Sequence, residues 1–131
     1  MKYRSAPSPE KIAAANADFA RLSDIFSIVS RPSSYAEMDK MVRWNMVSET
    51  RRLGVESSHP KAAGLALDIF NVMRRDGDEF VRKEVAHGLC WVGSLNNQQS
   101  KKAVAVMKKM INDPDEIIRY VAAECINALK L

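Results

Sequence analysis

The chain has 131 residues, 47% of them apolar and 27% charged, which is enough for one ordinary core and excludes a disordered or fibrous composition. No apolar run approaches the ~18–20 residues that a spanning helix needs, and residues 1–7 are short, basic and polar, without the apolar stretch of a secretory leader. A net charge of +4 neither demands nor forbids a nucleic-acid partner, and the two cysteines, Cys90 and Cys125, fit no metal-binding spacing. They are expected to be reduced core thiols of a cytoplasmic protein.

Helical signals run the length of the chain, with no sustained alternation of period two. Residues 1–7 are expected to be a flexible arm and residues 8–131 one domain. Ser8-Pro9-Glu10 supplies an N-cap and a first-turn proline for the first helix. Its apolar stripe reads Ile12, Ala15, Phe19, Leu22, Phe26 and Val29. Arg31-Pro32 stops it, because a residue before proline is driven out of the helical region. Ser34 and Glu37 form a capping box that predicts a second helix, and Gly54 after Leu53 predicts its end in a left-handed cap. Pro60 predicts the start of a third helix, with Ile69, Phe70 and Met73 inward. The turn Asp76-Gly77-Asp78-Glu79 leads to a fourth that ends near Gly93. Asn96 or Asn97 caps a fifth, and Asp113-Pro114-Asp115-Glu116 combines cap, first-position proline and acid at the start of a sixth.

These six helices fall into three hairpins, about 8–53, 60–93 and 97–130. The second and third align without gaps at an offset of 37 residues. Ala66, Ile69, Phe70 and Met73 fall on Ala103, Val106, Met107 and Met110, while Val81, Val85, Leu89 and Val92 fall on Ile118, Ala122, Ile126 and Leu129. The second helix of the first hairpin joins at an offset of 39 through Val42, Met46 and Leu53. An acid followed six residues later by an arginine recurs three times, as Glu37 and Arg43, Asp76 and Arg82, Asp113 and Arg119. Periods of 20–50 residues mark solenoids and arrays.

Over roughly residues 35–131 the chain resembles the HEAT-repeat family and the similar armadillo and phycobilisome-lyase-like arrays. The resemblance implies an all-α, short right-handed solenoid of three HEAT-like hairpins. It also implies that Glu37, Arg43, Asp76, Arg82, Asp113 and Arg119 form a structural ladder, the aspartate of one repeat meeting the arginine of its neighbour. It says little about function, because such repeats host unrelated activities.

No residue set is arranged for chemistry. His59 and His87 stand apart, no three ligands converge in spacing for a metal, and no glycine-rich phosphate loop occurs. Adjacent acids such as Asp78-Glu79 and Asp115-Glu116 serve as helix starts. The chain is expected to be no enzyme and to need no cofactor. An acid beside Trp91, either Glu84 or Glu124, is the one arrangement that would suit a HEAT-like base-excision enzyme.

In the resembling arrays the second helix of each hairpin lines the inner face. The repeat register then places Trp44, Lys83 and Tyr120 in one row, Ser48, His87 and Glu124 in the next, and Arg52, Trp91 and Ala128 in a third. Exposed Trp, Tyr and Arg are the residues most enriched at binding hot spots. Trp44, Arg52, Lys83, His87, Trp91 and Tyr120 are therefore the candidate partner-binding set of a protein–protein interaction module, an adaptor, chaperone-like or inhibitory protein. Lys101, Lys102, Lys108 and Lys109 recur at seven-residue spacing and are the candidate phosphate contacts of the alternative, a nucleic-acid-binding module. Ile117, Val121 and Ala128 add a second apolar strip to the sixth helix, which suggests a homodimer or partner contact at the C-terminal end.

Overall fold

A computed structural model describes residues 6–129, so the expected arm over 1–7 lies outside the described residues for positions 1–5. Seven α-helices fill this range: α1 Pro9–Val29, α2 Pro32–Glu37, α3 Lys40–Glu56, α4 Ala62–Met73, α5 Glu79–Gly93, α6 Asn97–Met107 and α7 Glu116–Leu129. There is no strand among the described residues, and none of the described helices is long and apolar enough to cross a membrane.

The count is seven rather than six because the expected second helix is broken. Met38 is extended, and the Asp39 carboxylate accepts the Met41 backbone N–H at 2.8 Å. An aspartate that offers its side chain to the amides ahead of it wins over the weaker Ser34 signal. The same device starts the two later helices of this type. Asp78 Oδ1 takes the N–H groups of Phe80 and Val81 at 2.9 and 3.1 Å. Asp115 Oδ1 takes those of Ile117 and Ile118 at 2.9 and 3.1 Å. The cap at the start of α7 is therefore Asp115, with Pro114 just outside the helix rather than at its first position. Pro60 likewise sits in a turn, and α4 begins two residues later.

Gly54 is no helix end. It lies inside α3, and no described residue has a positive φ. A Cβ there would stand 2.7 Å from Ala66 Cβ, so the glycine exists to let α3 and α4 approach. The α1 stripe is also turned from the expected one. Ala15, Leu22, Ile25 and Val29 are buried, whereas Ile12 is exposed and Phe19 and Phe26 are half-buried.

The first helices of the hairpins, α1, α4 and α6, pack side by side in that order, and so do the second helices, α3, α5 and α7. α3 also packs on α4, α4 on α5, α5 on α6 and α6 on α7. Between the two sets runs a single apolar core around Phe70, Leu67, Ile69, Leu89, Met107 and Ile118, all fully buried. Burial of each such side chain contributes about 1.5–3 kcal/mol. The equivalent positions Val81, Val85, Leu89, Val92 and Ile118, Ala122, Ile126, Leu129 are all buried. Val42 breaks the pattern, being 45% exposed where Val81 and Ile118 are wholly covered.

Candidate interaction surface

The acid and arginine positions of the repeat meet between hairpins. Arg43 Nε lies 2.9 Å from Asp76 Oδ2 and its Nη2 3.4 Å from Oδ1. One hairpin on, Arg82 Nε lies 2.9 Å from Asp113 Oδ2 and its Nη2 3.2 Å from Oδ1. Each acid also steadies the helix start behind it, since Asp76 Oδ1 accepts from Asp78 N at 2.8 Å and Asp113 Oδ1 from Asp115 N at 2.9 Å. The arginines spend a third donor on backbone: Arg43 Nη1 on Met38 O, Arg82 Nη1 on Asp76 O and Arg119 Nη1 on Asp113 O. These two rungs are bidentate and largely out of solvent, which makes them geometric ties between hairpins rather than loose surface pairs. Glu37 takes no such part. It is exposed, and no ion pair or hydrogen bond of its side chain occurs among the described residues.

Tyr35 belongs to the first rung, and the repeat gives no warning of it. Its hydroxyl donates to Asp76 Oδ2, and the Arg43 guanidinium lies 5.8 Å from its ring centroid. Burial, and then the bond to Asp76, drive the phenol far above its ordinary pKa. The equivalent positions are Arg74 and Ile111, so no periodic signal exists.

The opposite side of α3, α5 and α7 is apolar and open. Two residues past the caps Asp39, Asp78 and Asp115 stand Met41, Phe80 and Ile117, each 57% exposed. A turn further on come Trp44, Lys83 and Tyr120. Tyr120 is 65% exposed, Trp44 is half-buried against the core, and Lys83 holds its ammonium 5.6 Å from the Phe80 ring centroid. Ser48 and His87 follow, both half-buried, with Glu124 exposed. Trp91, 59% exposed, walls a groove of about 650 Å³ whose other side is Ser48, Arg52 and Val55 of α3. The structure thus brings Arg52 and Trp91 to one groove and places Lys83 and Tyr120 on neighbouring helices. Sequence reasoning missed Met41, Phe80 and Ile117 as a row. The signal was available, since the three each stand two residues before the repeated arginines Arg43, Arg82 and Arg119, at one position of the register already read from them.

The four lysines do not make one free stripe. α6 stops at Met107 with Lys108 as its helical cap, so the seven-residue spacing splits the four lysines into two pairs, Lys101 with Lys108 and Lys102 with Lys109. Lys102 Nζ is 3.0 Å from Gly64 O and 2.8 Å from Asp68 Oδ1, and Lys109 Nζ is 3.3 Å from Asn71 Oδ1. Two of the four are tied to α4, while Lys101 and Lys108 are exposed.

The groove beside Trp91 contains Glu49 and Glu56, not Glu84 or Glu124. Glu49 is held below the ordinary carboxyl range by its paired bonds to Arg21, both 2.8 Å, and so stays ionised rather than serving as an acid. No group of three His, Cys, Asp or Glu residues converges for a metal among the described residues.

Cys90 and Cys125 are both free thiols, and Cys125 is buried. Burial first, then the neighbouring Cys90 thiol, push the Cys125 pKa up to about 12. A thiol that stays neutral in the fold adds stability that is complete below the unfolded value of about 8.5. That stability is lost as pH rises from there toward about 12. At pH 8 an aromatic disulfide reagent should label Cys90 promptly and Cys125 only as fast as the protein opens. Equal, rapid labelling of both thiols would contradict this burial.

No known family model matches the chain, and neither a curated protein nor a solved structure is similar to it at a significant level.

Proposed function

We propose that the chain is a short right-handed HEAT-like solenoid acting as a non-enzymatic protein–protein interaction module, an adaptor, chaperone-like or inhibitory partner. The observation that carries this reading is the row Met41, Phe80 and Ile117, three large apolar side chains exposed to the same 57% at one register position. Scattered exposed apolar residues are ordinary, but three at one register position of adjacent helices, with Tyr120 a turn further on and Trp91 exposed on the same helix as Phe80, have the composition of a binding surface. Lys83 and Arg52 border it and would orient an incoming partner and raise its association rate more than its affinity. A partner would bury Phe80 and Tyr120 as central anchors and use the Trp91–Arg52 groove for a further side chain. The ties of Lys102 and Lys109 to α4 weigh against the nucleic-acid alternative.

The test is capture of partners from native lysate with the full-length protein, with and without nuclease, repeated with Phe80→Ala and Trp91→Ala. Both positions are exposed, so each variant should keep the wild-type helical signal and melting temperature. Each should weaken the captured complex by about 1 kcal/mol or more. Binding untouched by both substitutions would remove this surface from consideration. Partners that disappear with nuclease would transfer the function to nucleic acid.

A further inference from the structure

Arg119 stands where Arg43 and Arg82 stand, four residues after the cap of its helix. It is set up in the same way. Its Nη1 donates to Asp113 O at 2.7 Å and to Pro114 O at 3.1 Å, as Arg82 Nη1 donates to Asp76 O at 2.9 Å. In the two complete rungs that backbone bond leaves the Nε and Nη2 edge pointing at a carboxylate of the following hairpin. For Arg119 no carboxylate meets that edge among the described residues, and the side chain is exposed.

The missing half exists at the other side of the molecule. Counting back two residues from each cap gives Glu37 from Asp39, Asp76 from Asp78 and Asp113 from Asp115. Asp76 and Asp113 each receive the arginine of the preceding hairpin. Glu37 is at the receiving position, ionisable, exposed and unmatched among the described residues. The same helix start is short of apolar cover as well, for Val42 is 45% exposed where Val81 and Ile118 are wholly buried.

We infer that Arg119 of one molecule and Glu37 of a second form an intermolecular rung, so that copies of this chain join head to tail. The step that sets Arg43 on Asp76 and Arg82 on Asp113, applied once more between molecules, sets Arg119 on Glu37. Glutamate is one methylene longer than aspartate, which extends the reach of the acid across a joint that no covalent linker positions. The two surfaces differ, so the contact is heterologous and does not end at a pair. Lone exposed ion pairs are weak. The joint therefore depends on covering Val42 at one end and, at the other, Ala123, which is exposed where its equivalents Val47 and Ala86 are buried, and it should loosen as salt rises. It uses neither Trp91 nor Phe80 and does not rest on the partner-binding reading.

Sedimentation equilibrium across a wide concentration range tests this with the full-length protein. The wild type should show an average mass that climbs past the dimer, and Glu37→Arg or Arg119→Glu alone should stay monomeric. An equimolar mixture of the two variants, or one chain carrying both reversals, should regain the climb. Glu37→Arg disturbs no contact among the described residues, so its result stands even if loss of the backbone bonds makes Arg119→Glu unstable. A wild type that is monomeric throughout, or an association that stops at the dimer, overturns the inference. So does an association indifferent to Glu37→Arg, or one that the double reversal does not restore.

Discussion

Asp76→Ala should cost about 3–5 kcal/mol of folding stability, the range for removing one partner of a buried ion pair. The Asp76 side chain is wholly buried and holds three donors from three elements: Arg43 of α3, Tyr35 of α2 and the Asp78 amide ahead of α5. Its loss strands a guanidinium whose side chain is only 15% exposed and a tyrosine hydroxyl that has no other described acceptor. A buried donor left without its acceptor bears the full cost of its desolvation. Asp113→Ala removes the same bonds except the tyrosine, and its pocket is slightly wetter, so it should cost less. The difference between the two losses in urea denaturation isolates the Tyr35 contribution, and Tyr35→Phe should account for most of it. Arg43→Ala and Asp76→Ala should be strongly coupled, with the double variant losing less than the sum of the singles. If Asp76→Ala costs under about 1 kcal/mol, the rung is not what holds the first two hairpins together.

How much of this was readable beforehand follows from the range of the interactions involved. The start of α1 at Ser8-Pro9, the cap Asn96 and the buried positions of α5 and α7 depend on neighbours one to four residues away, and local spacing reports them well. The break at Met38 was also local, yet two competing caps lay five residues apart, Ser34 and Asp39, and only the comparison with Asp78 and Asp115 decides between them. Tyr35 and Lys102 were beyond reach for a different reason. Their partners, Asp76 and Asp68, are 41 and 34 residues away in the chain, and neither pair recurs in the repeat. The exposure of Trp91 but not Trp44 is likewise a tertiary result, set by how far each helix is covered by its neighbours.

Gly54 ties the packing to the candidate surface. Gly54→Ala gains about 1 kcal/mol of helix propensity, and that gain is outweighed. The new Cβ would stand 2.7 Å from Ala66 Cβ and 3.1 Å from Val92 Cγ2. An alanine Cβ has no rotamer with which to retreat, so α3 must move away from α4 and α5 as a unit. Overpacking of this kind costs about 1–3 kcal/mol, and with no escape route the upper end applies, a net loss of about 2 kcal/mol. Gly64→Ala, in α4, is the control of opposite sign. Its nearest neighbour would be Lys102 Nζ at 3.7 Å, so the propensity gain of about 1 kcal/mol should survive. Ala66→Gly should rescue much of the Gly54→Ala loss, and absence of rescue would place the clash elsewhere. Gly54 lies two residues beyond Arg52, and Val92 directly follows Trp91. The displacement that relieves the clash therefore widens the groove between Arg52 and Trp91. If that groove receives a partner's side chain, Gly54→Ala should weaken capture at temperatures where the protein is still fully folded, whereas Gly64→Ala should leave capture unchanged.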